Sequence, residues 1–392
     1  MRLSSVELTN FRNYESLSLS FPDGSHIFYG ANAQGKTNLL EAIYLCTCAR
    51  SHRTGRDEEL VRHGQDFYRT RVGIITDRAI YESVSIVYKK GSGRQATPSR
   101  IIRYNDLEVS RIGDMMGLFH AILFAPEDLQ IVKDGPAERR RFLDILISRT
   151  DRTYFRDLQD FWRILAQRNR LLKSLRQTGD PGGDELDIWD QTLAGKAAPI
   201  LEKRLAQLDR LAHYAGLSLQ HLTHSREVLT LQYKGFSGLE AGQDRQAIEA
   251  RSLERLARSR QDDLFRGSSS QGPHRDDILI SLNGADARLY ASQGQQRSVV
   301  LALKVAELML LTEISGEKPI LLLDDVMSEL DSSRRERLME VIRDHQVFIT
   351  CTDPSQTASA TAAACPTGWT GPVHYYQVHQ GQVTSGQMPA IS

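Results

Sequence analysis

Residues 26–44 read His26-Ile27-Phe28-Tyr29-Gly30-Ala31-Asn32-Ala33-Gln34-Gly35-Lys36-Thr37-Asn38-Leu39-Leu40-Glu41-Ala42-Ile43-Tyr44. A short apolar run gives way to small and polar residues, then to a stretch of helical composition. That order predicts strand, loop, helix. Gly30 to Thr37 matches G-x-x-x-x-G-K-[ST]. The spacing has a physical reason. Glycines let backbone N–H groups turn inward around an anion, and the N-terminus of the next helix favours negative charge at the same point. Lys36 would reach the β and γ phosphates and Thr37 would hold Mg²⁺. The predicted ATP-binding loop is therefore Gly30, Ala31, Asn32, Ala33, Gln34, Gly35, Lys36, Thr37 and Asn38, in a P-loop NTPase of the α/β class.

A second element should hold the Mg²⁺ from a neighbouring strand. Pro319-Ile320-Leu321-Leu322-Leu323 is an apolar run that ends in Asp324-Asp325. Asp324 would reach the metal through water, and Asp325 lies where a catalytic base orients the attacking water. The two motifs stand about 290 residues apart. A small GTPase or nucleotide kinase keeps them closer. The wide separation predicts a site assembled from the two ends of the chain, with an insertion between them.

The 392 residues suit two domains or lobes. No apolar run reaches about 18 residues, so no membrane span is expected, and the N-terminus lacks the apolar core of a signal peptide. These features predict a cytoplasmic protein. Cys46, Cys48, Cys351 and Cys365 show no C-x₂-C spacing, and Cys46 and Cys48 read as buried thiols on the helix after the loop. Lys+Arg and Asp+Glu number 49 each, so bulk charge gives no sign of a nucleic-acid partner.

Residues 1–130 read as mixed α/β: alternation over 15–21 marks a strand, and 81–88 and 101–104 read as two more. From 137 to 177 apolar residues recur at helical spacing as one helix. Asp180 to Asp184 breaks it, 186–214 is helical with Pro199 as a candidate kink, and 248–264 is a third helix. Residues 278–282 and 285–290 read as a hairpin on Asn283-Gly284. A helix follows over 295–312, with strands at 320–323 and 346–350. Residues 374–383 read as an edge strand before a tail. The expected division is a head (1–130 and 270–370), a helical lobe (131–269) and an edge strand with tail (371–392).

Ser292-Gln293-Gly294-Gln295-Gln296-Arg297 precedes a helix about 30 residues before the Asp324 strand. Alone it reads equally well as a helix cap. In that position it resembles the signature motif of ABC-type ATPases, in which one subunit closes on the γ-phosphate held by another. Ser328 to Asp331 stands in the place of that class's D-loop. With Leu8 to Tyr14, the loop 30–38, Phe124 to Leu129 and Gly272 to Asp277, the ordered set resembles the RecF family of bacterial recombination mediators, relatives of SMC proteins. The matches run nearly end to end.

The resemblance implies an ABC-type, SMC-like ATPase head with an inserted, mainly helical lobe. It implies ATP and Mg²⁺ as cofactors, and a head-to-tail homodimer around two nucleotides. It also implies binding to single-strand/double-strand junctions at gapped DNA, and action with RecR and RecO to load recombinase in repair, replication and SOS induction. Lys36 and Thr37 hold phosphates and Mg²⁺, Arg12 contacts the nucleotide near the adenine or phosphates, and Ser292, Gly294 and Gln295 act in trans. Glu127 or Asp128 stands at the Q-loop position. Transport ATPases have Asp-Glu where this chain has Asp324-Asp325, and a switch histidine after the last core strand, where Thr352 is the nearest substitute here. Both differences imply a weak, DNA-dependent ATPase working as a switch, slower than the roughly 10 s⁻¹ enzyme median.

Two basic clusters are candidate DNA contacts: Arg139-Arg140-Arg141, and Arg53 and Arg56 with Arg50 and His52. A charge run is otherwise a solvated helix face. Three other readings compete. A transporter ATPase subunit does not account for the inserted middle. A small-molecule kinase has no use for residues 292–297. A structural SMC-like protein would bind ATP without turnover.

Overall fold

The computed structural model describes residues 1–91, 97–223, 227–236, 238–352 and 372–386. Cys365 and Asp353 lie outside them. In chain order the first part contains β1 (Arg2–Phe11), β2 (Tyr14–Ser20), β3 (Ser25–Tyr29) and α1 (Lys36–Cys48). There follow β4 (Phe67–Ile75), β5 (Tyr81–Lys89), β6 (Ser99–Tyr104), β7 (Leu107–Glu108), α2 (Ile112–Met115) and β8 (Ala121–Phe124). The middle carries α3 (Gln130–Lys133), α4 (Pro136–Thr150), α5 (Arg152–Thr178), α6 (Gly183–Thr223), β9 (Leu229–Lys234) and α7 (Arg245–Arg266). The last part holds β10 (Asp277–Leu282), β11 (Ala285–Asp286), α8 (Ala287–Tyr290), α9 (Gln293–Ser315), β12 (Ile320–Asp324) and α10 (Val326–Glu329). It ends with α11 (Ser332–Ile342), β13 (Val347–Cys351), β14 (Val373–His379) and β15 (Gln382–Gly386).

The chain forms two compact units. The first comprises Met1–Leu129, Ser218–Ser225 and Val300–Ser392. Its antiparallel sheet has the order β2-β1-β4-β5-β6-β7, and its second sheet runs β15-β14-β3-β13-β12-β8. In the second sheet β14, β3, β13, β12 and β8 are parallel, and only β15 is antiparallel. Strands β12 and β13 are buried at every residue, as expected for inner parallel strands covered on both faces. Helix α1 is buried over 11 of its 13 residues because it packs on strands of both sheets. From Leu39 to Cys48 it is apolar on most sides, with Glu41 and Thr47 the buried polar residues, and such a helix belongs in the interior. Cys46 and Cys48 are buried there, and Cys46 Sγ lies 3.0 Å from Thr70 Oγ1. Among the described residues no helix is long and apolar enough to cross a membrane.

The second unit comprises Gln130–Leu217 and Arg226–Val299. Residues 270–299, expected in the head, group with this unit, because β10 pairs with β9 and β11 and with no strand of the other sheets. Three more expectations are corrected. The stretch 137–177 is two helices, since Asp151 accepts from the backbone N–H groups of Thr153 and Tyr154 and starts a new one. Residues 287–290 form a helical turn capped by Asp286, leaving only two residues of strand. The stretch 374–383 is mostly β14, which is not at the sheet edge because it pairs with β3 on one side and β15 on the other; the edge strand is β15.

Buried ion pairs brace the second unit. Arg168, fully buried, donates to Asp190 (2.6 Å), Asp263 (2.8 Å) and Ser269 (2.7 Å). Arg204 donates to both oxygens of Asp144 (2.9 Å each) and to the carbonyl of Pro273 (2.6 Å). Arg139 pairs with Asp277 at 2.8 Å, Arg140 donates to the carbonyl of Asp276 at 2.6 Å, and the Tyr233 hydroxyl donates to the Asp276 carboxylate at 2.8 Å. The segment Gly272 to Asp277 is thus an internal fastening of this unit. Such pairs specify geometry, and losing one partner is costly.

Burial pushes the Asp276 carboxyl up to about 6, against the pull of Tyr233, Arg204 and Arg140. The folded chain therefore keeps this proton through a range where an unfolded aspartate has released it. Stability from this group is present below the ordinary aspartate value and is lost as pH rises through about 6. Asp276→Asn removes that titration. The urea midpoint of the wild type should fall relative to the variant between about pH 4 and pH 7, by the equivalent of ~2–3 kcal/mol. A constant difference between the two proteins across that range would contradict this assignment.

Candidate functional site

The loop between β3 and α1 is held in a strained shape from outside. Gly30 has φ 152° and Gly35 φ 120°. A Cβ at Gly30 would lie 2.3 Å from the carbonyl oxygen of Val378, and one at Gly35 would lie 2.8 Å from the Asn13 side chain. Only glycine fits either position. Asn13 donates to the Gln34 carbonyl (2.9 Å), and the Tyr14 hydroxyl donates to the Gly35 carbonyl (3.0 Å). Across the loop, the N–H of Gly381 donates to the Gln34 carbonyl (3.0 Å) and that of Gln380 to its side-chain oxygen (2.7 Å). The β1–β2 turn and the β14–β15 turn therefore clasp Gln34. With its carbonyls taken by these donors, the loop is fixed in shape before any ligand binds.

Lys36 is buried, and its ammonium donates to the carbonyls of Gly30 (2.6 Å) and Ala31 (2.8 Å). Burial pulls it below the ordinary lysine value, while Cys351, Asp325 and Asp324 pull the other way. Thr37 Oγ1 donates to Asp324 Oδ1 at 3.0 Å, across 287 residues of sequence. The same oxygen accepts from Thr350 Oγ1 at 2.6 Å, and Thr350 Oγ1 in turn accepts from the N–H of Asp325 at 3.0 Å. Burial raises the Asp324 carboxyl, the two threonine hydroxyls lower it, and Glu127 and Asp325 raise it further. Asp325 takes a left-handed backbone, φ 53° and ψ 16°, as the cap of α10. A non-glycine residue in this region is strained, a feature that clusters at functional sites. Thr352, the expected histidine substitute, sits exposed beyond β13. Thr350, two residues earlier, is the residue that holds both aspartates.

Glu127 completes the acidic side. One carboxylate oxygen, Oε2, is buried with no hydrogen-bond partner among the described residues, and the other lies 3.9 Å from Arg53. Asp128 has different work: it accepts from the N–H of Ala125 at 2.8 Å and faces Lys304 at 4.0 Å. Of the two acids left open at the Q-loop position, Glu127 is the one with a buried, unpartnered oxygen, and its charge acts on Asp324. Thr37, Asp324 and this orphaned oxygen suit Mg²⁺, which takes few protein ligands and keeps water and phosphate oxygens.

Arg12, expected at the nucleotide, is tied into a network with Glu41 and Glu59. Its guanidinium is bidentate on Glu41 (2.8 and 2.9 Å) and donates to the Glu59 carbonyl (2.8 Å). Burial alone would raise Glu41, but Arg12 and Ser51 hold it below its ordinary value. Arg53 donates to Asn38 (3.0 Å) and lies 3.5 Å from Glu41, so it belongs to this internal network too. Arg56, 83% exposed and 4.0 Å from Glu59, remains open to solvent. The Arg139 to Arg141 cluster is corrected as a DNA contact. Arg139 is buried on Asp277, Arg140 is half-buried on the Asp276 carbonyl, and Arg141 lies 3.5 Å from Glu138.

The signature segment opens α9 in the second unit. Ser292 Oγ accepts from the N–H of Gln295 (3.2 Å), and Gln295 Oε1 accepts from the N–H of Ser292 (2.8 Å). This reciprocal capping box accounts for serine and glutamine at this spacing. Gln295 is further tied to Glu227 at 2.8 Å. Gly294 occupies the first turn of α9, and its carbonyl accepts from Ser298 at 3.0 Å. Ser292 itself is exposed, beside exposed Leu289 and Tyr290.

The model of the RecF/RecN/SMC N-terminal domain matches residues 2–365. The chain is 41% identical over 363 residues to the DNA replication and repair protein RecF of Ruminiclostridium cellulolyticum, covering 93% of this chain and 96% of that one. Among solved structures it resembles the recombination mediator protein RecF-ATP in the RecFOR pathway, at 35% identity and a TM-score of 0.88, covering 98% and 97% of the two chains. The Smc head domain of Pyrococcus furiosus shares the fold at 14% identity and a TM-score of 0.51, over 98% and 96% of the chains. A loop built around Lys36 and Thr37, joined to Asp324 from the far end of the chain on an ABC-type, SMC-like head, together with identity over nearly the whole length, places this chain in the RecF family of DNA replication and repair proteins.

Proposed function

We propose that this chain is an ATP-dependent, DNA-binding recombination mediator. It binds ATP and Mg²⁺ at the loop Gly30 to Asn38 and dimerises head to tail on that nucleotide. It engages gapped DNA at single-strand/double-strand junctions and acts with RecR and RecO in repair, replication and SOS induction. The observation that carries the reading is the Thr37–Asp324–Thr350 hydrogen-bond chain beside Lys36. It brings the phosphate-binding and water-orienting elements together as a Mg²⁺·ATP site requires.

On binding, Lys36 exchanges the Gly30 and Ala31 carbonyls for phosphate oxygens. Thr37 and Asp324 are the residues that would hold Mg²⁺, Thr37 through its hydroxyl oxygen and Asp324 through its carboxylate. Bound Mg²⁺ would offset the charge that develops on the β and γ oxygens. Asp325 takes the proton of the attacking water, and Thr350 holds its backbone N–H while donating to the Asp324 carboxylate. Aspartate is one methylene shorter than the glutamate of transport ATPases, which favours slow turnover and a switching role. Ser292, Gly294 and Gln295, with exposed Leu289 and Tyr290, supply the face that closes on a partner's γ-phosphate.

Sedimentation with ATP and Mg²⁺ tests the dimer. Wild type should dimerise, Lys36→Met should fail to bind nucleotide, and Ser292→Arg should bind nucleotide yet remain monomeric. A Ser292→Arg protein that dimerises like wild type would remove the signature reading. Thr350→Val tests the water-orienting role separately. Thr350→Val removes a hydrogen bond to the Asp324 carboxylate and the anchor of the Asp325 N–H. A bond to a charged group is worth about 1.5–3 kcal/mol, so turnover should fall roughly tenfold to a hundredfold, by more than Mg²⁺-dependent ATP affinity falls. Unchanged turnover would show that Thr350 does not position Asp325.

A further inference from the structure

Helix α5 carries an uncommon surface. In 27 residues it has seven Arg or Lys against two Asp, within a chain of zero net charge. Its buried face is Tyr154, Leu158, Phe161, Leu165, Arg168, Leu172 and Leu175, and Arg168 is neutralised there by Asp190 and Asp263. Both aspartates of the helix are already paired, Asp157 with Lys203 at 2.9 Å and Asp160 with Lys196 at 3.0 Å. At 3.6 residues per turn, Arg156, Arg163 and Arg170 fall within about 40° of one another on the opposite face, about 10 Å apart along the axis. All three are exposed. Arg163 contacts Asp160 at 3.2 Å but is 70% exposed, and such a pair is readily exchanged.

Trp162 flanks this row and is 53% exposed. Its ring is seated edge-on against Phe161 (6.0 Å) and His274 (6.2 Å), so it is held in place with much of its surface in solvent. Lys173 falls within about 20° of Trp162 on the same flank of α5, and a Cβ on Gly267, the cap of α7, would meet the side chains of Lys173 and Arg176. Phe265, two residues before that cap, is 81% exposed. A row of basic side chains with an exposed, anchored indole on the adjoining flank, about a quarter turn away, is what a flexible polyanion with flat rings requires.

We propose that the exposed face of α5 is a contact surface for single-stranded nucleic acid, with Trp162 stacking on a base and Arg156, Arg163 and Arg170 following the phosphates. It extends the DNA-binding reading to a surface outside the nucleotide site and does not depend on ATP. An acidic protein segment would use the arginines but leave the indole without a role.

The test uses the full chain without nucleotide, fluorescently labelled oligo-dT and a duplex of equal length, with anisotropy read over a salt series. Trp162→Ala should weaken oligo-dT binding about tenfold and duplex binding by less than about twofold, with Trp162→Phe close to wild type. Arg163→Ala and Arg170→Ala should each lower the log–log salt slope on oligo-dT by about 0.7. Retained binding of a fluorescent ATP analogue separates this surface from the nucleotide site and shows that the variants are folded. Unchanged oligo-dT affinity in Trp162→Ala, or displacement of oligo-dT by polyglutamate as readily as by unlabelled oligo-dT, would overturn the proposal.

Discussion

The carboxylate of Asp324 is the constraint on which the rest of the head depends. It is buried, and burial disfavours its charge. Two hydroxyls offset that cost, Thr37 from α1 and Thr350 from β13. Because β12 lies beside β13, and β13 beside β3, satisfying one carboxylate aligns the strand before the phosphate loop with the strand that carries the acids. Leaving any of these polar groups unpaired in the interior would cost more than the hydrogen bond returns. The residues that would meet a nucleotide's phosphates are thus preorganised by the same bonds that close the sheet.

The loop itself is shaped by the outer elements. Gln34 is clasped by the β1–β2 turn through Asn13 and by the β14–β15 turn through Gly381. The C-terminal hairpin is therefore part of the nucleotide site's support. In the second unit the analogous role falls to arginine. Arg204, Arg139 and Arg140 fasten the segment Gly272 to Asp277, and Arg168 gathers Asp190, Asp263 and Ser269. Arginine suits this work because its planar fork makes several fixed bonds at once. Arginines that read as a DNA patch in the sequence are consumed in this way.

What was legible in the sequence follows from how local each signal is. The phosphate loop, α1 and β12 announce themselves through contiguous residues whose chemistry and periodicity agree. Thr350 did not, because its partner is set by strand register: it lies opposite Asp324 only after β12 and β13 pair. A polar residue inside an apolar strand was the one available signal. The split between α4 and α5 rests on a single aspartate cap, which an unbroken apolar periodicity conceals. The sheet assignment of residues 278–282 depends on pairing with β9, some 50 residues earlier, which no local pattern encodes. Arg139 was misplaced for the same reason, since its acidic partner Asp277 lies 138 residues further along the chain.

The central claim is that Thr37 and Asp324 act as one unit in holding Mg²⁺·ATP. A double-mutant cycle measures this most directly: Mg²⁺-dependent ATP affinity of wild type, Thr37→Val, Asp324→Asn and the double variant. Groups that share a hydrogen bond and a ligand couple by about 0.5–3 kcal/mol, so the double variant should lose less affinity than the two single losses combined. Additive losses would mean that the bond between the two ends of the chain only holds the fold together, and that the phosphate loop works without the strand that meets it.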